Sequence, residues 1–279
     1  MKDVRVALAQ IAIEPLDPKK NLDRMLRACD DVGNGADLVV FPELADVGYV
    51  RERDRAFGAQ YLQLAEPVPG PLTEALGEAA RRHGVYIVAG VAERHPSITA
   101  TAFNAAVLIE PTGRVAGVQR KLHLAGEERH YFVAGRDIRV FDTDLGRLAI
   151  SICYDNYFPE VARAAALRGT EILCGVFNIP DRADWRERLV ALASVRSYEN
   201  MNHVVFVNRV GTDAGVPYGG ESAIASPPGR VVARGPCLEE AIVTATLEAR
   251  AVAEERAWRP IFADRRPEVY RLDEAEEGR

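Results

Sequence analysis

Short apolar runs of strand type alternate with amphipathic helical stretches along most of this chain, and that alternation constrains the fold more than any other feature. Residues 4–9 form a β-rich run, and Asp17-Pro18 then reads as a helix start. Proline suits a first helical position because its φ is already set and its missing N–H would go unpaired there anyway. Leu22, Met25, Leu26 and Cys29 follow at i, i+3, i+4 and i+7, one apolar helical face, and Gly33 and Gly35 end it. Residues 38–41 read as a buried strand closed by Pro42. The pattern recurs with a Pro69-Gly70-Pro71 loop, a helix at 72–83, a strand at 85–91, and a hairpin of 105–110 and 115–120 around Pro111-Thr112-Gly113. Next come a strand at 148–153, a helix from Pro159 to Gly169, and a strand at 171–177. Asp184 and Glu187 resemble a capping box for a helix to about Asn202, and a strand at 204–208 comes after it. Strands apolar on both faces need a cover on each, so the alternation predicts an α/β layered domain. No repeat, low-complexity tract or long linker interrupts it. The expectation is one domain over 1–279, with a C-terminal extension from about 250.

Charge narrows what such a domain binds. Forty-one acidic against 35 basic residues give a formal charge of -6, which offers no electrostatic reason to expect nucleic acid or an anionic membrane as partner. The densest charge runs, at 51–55 and 274–279, read as solvated surface. Asp3, Arg5 and Gln10 break the first apolar run, so it does not read as a secretory signal. No apolar segment approaches the roughly 18 to 20 residues of a membrane span, and the expected location is the cytoplasm. Cys29, Cys153, Cys174 and Cys237 are widely spaced and are expected as free thiols. The five histidines form no H-E-x-x-H and no cluster with cysteine, so no zinc site is expected.

Four side chains stand out as candidates for chemistry. Cys153 closes the apolar run LAISIC and is followed by the turn-prone Tyr154-Asp155-Asn156 and a helix opening at Pro159. A strand–turn–helix junction presents a nucleophile at the strand tip, with backbone N–H groups nearby for an oxyanion. Cys174, inside EILCGVF, lacks that flank and reads as core. Glu43 follows LVVF and the rigid Pro42, and a carboxylate just past a buried strand end suits a general base whose pKa partial burial raises. In RKLHL, Lys121 and His123 alternate with Leu122 and Leu124, which suggests one polar, cavity-facing side. Taken singly, Lys121, and Glu128 in EERHYF, read equally as surface residues.

Together, FPEL, RKLHL and CYDNYFPE, in that order and at these separations, resemble the nitrilase superfamily of carbon–nitrogen hydrolases. Gly48-Tyr49, Phe103-Asn104-Ala105, Glu128-Arg129-x-x-Phe132, Asn208-Arg209-Val210-Gly211 and Asp264-Arg265-Arg266-Pro267 extend the similarity over roughly residues 3 to 270. Two departures occur. The segment between Lys121 and Glu128 is about one residue short, and Arg196-Ser197-Tyr198-Glu199-Asn200 carries one residue more than the usual R-A-x-E-N. The resemblance implies a four-layer α-β-β-α sandwich, with Cys153 as nucleophile, Glu43 as base, Lys121 as oxyanion partner and Glu128 orienting Lys121. It implies substrate contacts from Tyr49, Tyr154, Asn156, Tyr157 and Asn178. It implies no metal, nucleotide or organic cofactor, and a homodimer or larger homo-oligomer paired through helices near the nucleophile.

The residues after the cysteine narrow the branch. True nitrilases usually carry Trp-Glu there, whereas Tyr154-Asp155 is similar to the amidases. D-amino-acid carbamoylases tend to place arginines where Asn156 and Tyr157 stand, so no carboxylate clamp is evident. Neither the synthetase domain of the NAD-synthetase glutaminases nor the membrane helices of the lipoprotein acyltransferases is read here. An aliphatic or ω-type amidase, or an N-carbamoyl amine hydrolase, acting on a small-molecule amide is the leading expectation. The alternatives are a nitrilase acting on a small nitrile, a catalytically silent binding protein on the same fold, and a papain-like enzyme pairing Cys153 with His123, His130 or His203.

Overall fold

The computed structural model describes residues 1–50, 53–182 and 187–270. Its first half contains β1 (Val4–Gln10), α1 (Pro18–Val32), β2 (Leu38–Val40), α2 (Arg55–Leu64), α3 (Pro71–His83), β3 (Tyr86–Arg94), β4 (Ala102–Ile109) and β5 (Val115–Arg120). The second half contains β6 (Val140–Thr143), β7 (Gly146–Ile152), α4 (Pro159–Leu167), β8 (Ile172–Phe177), α5 (Arg188–Asn200) and β9 (His203–Asn208). Then come β10 (Thr212–Asp213), β11 (Val216–Pro217), β12 (Ala223–Ser226), β13 (Arg230–Arg234), β14 (Ala241–Leu247) and α6 (Ala249–Trp258). The helix start at Asp17-Pro18 forms as the sequence indicates, with the Asp17 carboxylate accepting the Lys20 N–H at 3.0 Å.

Two six-stranded sheets result, ordered β14-β1-β2-β3-β4-β5 and β13-β12-β9-β8-β7-β6. The central strands β1, β2 and β3 run parallel, as do β7, β8 and β9. Side chains alternate across each strand, so each sheet has two apolar faces to bury. Val6, Leu8, Val40 and Val88 of the first sheet pack against Ile150, Cys174, Val176 and Val205 of the second, forming the core between sheets. The other face of the first sheet, with Val39, Ile87 and Val107, is covered by Met25 and Cys29 of α1 and Leu76 of α3. The other face of the second, with Ala149, Leu173 and Phe206, is covered by Ala162 of α4 and Leu189 and Ala193 of α5. The fold is therefore a layered α-β-β-α sandwich. Cys174 lies in the central core as expected, and burial alone holds its thiol far above the ordinary cysteine range.

Several elements lie beyond the sequence reading. β14 pairs with β1 along seven residues, from Val4 opposite Leu247 to Gln10 opposite Ala241, and so closes the first sheet with the chain's far end. α2 and the strands β10 to β13 were likewise not indicated by periodicity. The capping role read for Asp184 lies outside the described residues, as do residues 51–52 and 274–279 of the two charge runs. Among the described residues no helix is long and apolar enough to cross a membrane.

Candidate active site

The site is built where the parallel strands of both sheets end. β7 stops at Ile152, and Cys153 opens a short turn of 3-10 helix (Cys153–Tyr157) that leads into α4. Cys153 has φ 44°, in the left-handed region that costs energy for any residue with a Cβ. The surroundings hold it there. The buried Asp155 carboxylate accepts N–H bonds from Leu122 at 3.1 Å and His123 at 2.8 Å, and reaches back to Ile152 N at 3.3 Å. His123 Nδ1 lies 2.9 Å from the same carboxylate, and its ring stacks on Phe158. Asp155 thus ties the nucleophile turn to the segment that follows Lys121.

Asn156 is a correction to the sequence reading. Its side chain accepts from Ser151 Oγ at 2.8 Å and donates to the Cys153 carbonyl at 3.2 Å, while its own carbonyl accepts from Arg196 at 2.8 Å. It is buried and its amide is already used in bracing the turn, so it stands behind the cavity wall instead of on it. Arg196, in the segment with the extra residue, reaches the turn in spite of that departure.

The charged cluster converges from three loops. Lys121 follows β5, its backbone N–H donating to the Asn104 carbonyl at 2.8 Å. Its ammonium donates to Glu43 Oε1 and to Glu128 Oε1, each at 2.6 Å, and all three side chains are 0% exposed. Asn104 donates to Glu43 Oε1 at 2.8 Å, and the Tyr49 hydroxyl donates to Glu128 Oε1 at 2.6 Å. The other Glu128 oxygen accepts the Ala125 N–H at 3.2 Å, so the shortened 121–128 segment still delivers this carboxylate. Glu43 itself is placed by close backbone approach. A Cβ on Gly90 of β3 would lie 2.5 Å from Glu43 Cα and 2.4 Å from the Pro42 carbonyl, so glycine is needed there. On the other side, Glu43 N donates to the Phe177 carbonyl at 3.3 Å, and Asn178 donates to the Glu43 carbonyl at 3.0 Å. Glu43 therefore bridges the ends of both sheets. Its second oxygen, Oε2, is buried and has no hydrogen-bond partner among the described residues.

Electrostatics set the resting protonation. Burial raises the Glu43 pKa, against the pull of Lys121, and Glu128 adds to the rise. Burial alone would lower Lys121, but Glu43, Cys153 and Glu128 outweigh it and the ammonium is held charged. Burial and the Glu43 charge push the Cys153 thiol well above its ordinary range, with Lys121 only partly opposing. Burial, with the charge of Glu43, outweighs the Lys121 ammonium, which by itself favours the thiolate.

A cavity of about 580 Å³ opens onto Cys153, and Tyr49, Tyr154, Tyr157 and Asn178 line it. The Tyr154 N–H belongs to the first turn of its 3-10 helix, where helical geometry supplies no acceptor. No histidine lines the cavity among the described residues. His203 is buried against the Glu248 carbonyl at 3.0 Å, and His130 sits 3.5 Å from Glu127 at the surface. Among the described residues no three His, Cys, Asp or Glu side chains group as a metal site would require. The sequence reading missed Asn104 and Asp155 as elements of the site. Both sit inside quoted motifs, but only contact across the fold shows what they hold.

The chain matches the carbon-nitrogen hydrolase family profile over residues 5–257. It is 35% identical over 273 residues to a nitrilase of Pyrococcus abyssi, covering 96% of this chain and 99% of that one. Its fold is similar to that of XC1258 from Xanthomonas campestris, a carbon–nitrogen hydrolase superfamily protein with an arsenic adduct in its active site. That likeness has a TM-score of 0.85 at 28% identity, over 95% of this chain and 98% of that one. It is also similar to a mutant amidase from Nesterenkonia sp. AN1 showing covalent addition of the acetamide moiety of fluoroacetamide at the active-site cysteine. There the TM-score is 0.80 at 26% identity, over 96% of this chain and 95% of that one.

Proposed function

The chain belongs to the carbon–nitrogen hydrolase family and is an enzyme of amidase type, and from that premise we propose that it hydrolyses a small non-peptide amide to acid and ammonia through a thioester on Cys153. The observation that carries this reading is a buried carboxylate, near enough to Cys153 to bear on its thiol, that has one oxygen bound and one free. Glu43 Oε1 is held by Lys121 and Asn104, and Oε2 is left to take a proton.

Each step uses one of these groups. Cys153 Sγ attacks the amide carbon as its proton passes to Glu43. The carbonyl electrons move onto oxygen, where the Lys121 ammonium and the Tyr154 N–H stabilise the charge. Removing one such donor typically costs about 3 to 4 kcal/mol of transition-state stabilisation. The tetrahedral centre collapses, Glu43 gives its proton to the nitrogen, and ammonia leaves a thioester behind. Water then attacks as Glu43 takes one of its protons. Collapse returns that proton to sulfur and releases the acid, regenerating thiol and carboxylate. The balance is amide plus water to acid plus ammonia. An ammonia-release screen over small amides, ω-amides and N-carbamoyl compounds, each run beside its matching nitrile, tests the reading. Turnover of nitriles alone would replace it with the nitrilase alternative.

Glu43 must be ionised to accept the thiol proton, and burial raises its pKa. Activity is therefore lost as pH falls through a value above that of an ordinary glutamate. The acid limb of kcat/KM, which reports groups of the free enzyme, is expected above the ordinary glutamate range. A profile flat down through that range would remove Glu43 from the role of base.

Glu128 and Glu127 form an internal comparison. Glu128 is buried on Lys121, whereas the Glu127 side chain is 42% exposed beside His130. Glu128→Gln keeps the size but removes the charge that orients Lys121, and a cut in kcat on the order of 100-fold is expected. Glu127→Gln should alter stability by no more than about 0.5 kcal/mol, as exposed substitutions usually do. Equal, small effects on kcat in stopped assays would leave a triad of Glu43, Lys121 and Cys153.

The same reading includes self-association. On the outer helical layer, Leu167, Val195 and Tyr198 of α4 and α5 are about half exposed, an apolar face beside the nucleophile turn. Two copies pairing through these helices would bury it. Light scattering is expected to give a dimer or larger assembly, and Val195→Glu with Tyr198→Glu is expected to shift it to monomer.

A further inference from the structure

The loop that follows Glu43 returns to the same cluster at Tyr49, whose hydroxyl holds Glu128. Leu44 has φ 47°, and Gly48 N donates to the Leu44 carbonyl at 2.9 Å, so the chain turns tightly between the two. Asp46 sits inside that turn, 4% exposed, and no step of the reaction above uses it. Its Oδ1 accepts the Val47 N–H and its Oδ2 the Ala92 N–H, each at 2.8 Å. β2 pairs with β3 only as far as Val40 opposite Val88, so the Ala92 N–H lies beyond the last rung of that ladder. The Asp46 carboxylate stands in for the strand that has ended. On its other edge β3 pairs Ala92 with Asn104, the residue that holds Glu43 Oε1. One carboxylate therefore joins the loop of Glu43 and Tyr49 to the strand pair that carries Asn104.

Such a group is costly to keep. The titratable side chains facing it are Glu66, another acid, and Tyr61 of α2, while α1 presents the neutral Asn21, bonded to the Asp46 carbonyl at 2.8 Å. Burial, helped by the Glu66 charge, outweighs the N–H bonds and pushes the Asp46 pKa up to about 7. A neutral side chain of the same shape would avoid the burial of a charge, but it could not serve both N–H groups equally. A protonated carboxyl or an asparagine amide keeps one full acceptor and puts a donor group at the other position. A buried N–H left facing a donor is itself unfavourable.

We propose that Asp46 is a positioning residue for the reaction: its ionised carboxylate, by bonding Val47 and Ala92 at once, holds Glu43 and the Tyr49 hydroxyl in register with Lys121 and Cys153. This rests on the amidase reading above, in which Glu43 takes the thiol proton. A displacement of about 1 Å at a reacting group costs on the order of 100-fold in rate.

Asp46→Asn imitates the protonated acid at every pH and is the test. At about pH 8, below the melting temperature of both proteins and per mole of folded protein, the variant should show kcat at least tenfold below wild type, with KM within about threefold. The wild type enters the same neutral state as pH falls through about 7, so the difference should shrink to about threefold or less at about pH 5.5. Support of the fold alone would lower the melting temperature and leave that ratio unmoved by pH. A variant kcat close to wild type at the higher pH, or an equal ratio at both, overturns the proposal. The wild type gives a second measurement that needs no variant. Its acid limb of kcat/KM should require two ionisations, Asp46 and Glu43, and a single one overturns the proposal. The rate at which chloroacetamide alkylates Cys153, read by peptide mass, separates this proposal from the reading it rests on, because that attack also needs the thiol proton removed. If wild type is alkylated but hydrolyses no amide, the amidase reading fails alone when Asp46→Asn is alkylated at least tenfold more slowly at the higher pH. Alkylation of the variant at the wild-type rate overturns the role of Asp46, and a wild type that neither reacts nor hydrolyses overturns both.

Discussion

Cys153→Ala is expected to fold normally and to lose amide hydrolysis by a factor on the order of 10⁶, about 8 kcal/mol of transition-state stabilisation. The size follows from the chemistry proposed: no other group at the cavity replaces the sulfur, and without it neither the thioester nor the proton transfer to Glu43 exists. Folding should survive because the turn is held by Asp155, Asn156 and Arg196, none of which bonds the thiol. Cys174→Ala is the control in the same protein. Its thiol is buried in the core between the sheets, so its loss should cost about 1 kcal/mol of packing and leave kcat unchanged. Thermal melts and ammonia release on both variants, with mass spectrometry of the Cys153 peptide during turnover of the wild type, decide the matter. Appreciable residual hydrolysis in Cys153→Ala, or none in Cys174→Ala, would reverse the assignment of the two cysteines.

Lys121→Met should both inactivate and destabilise, and the second effect reports the geometry directly. The ammonium neutralises two carboxylates that are fully buried with it. Removing one partner of a buried ion pair typically costs about 3 to 5 kcal/mol, because the charge left behind has neither water nor counter-ion. Here two carboxylates are stranded. With Lys121 gone, Glu43 loses the charge that opposes its burial and stays protonated in the folded state up to a higher pH than in the unfolded chain. The folded protein then binds more protons than the unfolded one above the ordinary glutamate pKa, so stability falls as pH rises through that range. The deficit against wild type should be large at pH 8 and smaller near pH 4, read by urea unfolding at both. A deficit independent of pH would mean that Glu43 does not depend on Lys121 for its charge. Loss of turnover without any loss of stability would mean the cluster is not buried as described.

The periodicity of apolar residues by itself determined the layered α/β class, most strand and helix positions up to residue 208, and the helix start at Asp17-Pro18, because these depend on patterns within one or two turns of chain. The motifs around Glu43, Lys121 and Cys153 pointed to the cluster, since each ends a strand that the pattern already placed. Long-range pairing was not available to that reading. β14 meets β1 across more than 230 residues, and nothing local in residues 241–247 names its partner. The same holds at the site. Asn156 looked like a substrate contact from its place beside the nucleophile, and only tertiary packing shows its amide consumed by Ser151 and the Cys153 carbonyl. Asp155 and Asn104 became parts of the site because they hydrogen-bond to segments far away in sequence. The upward push on the Cys153 thiol was likewise decided in three dimensions, first by burial and then by the neighbouring Glu43 charge. A sequence specifies which groups are present and which lie near a strand end. Burial and mutual distance, which set pKa values and hydrogen-bond partners, exist only once the two sheets have packed.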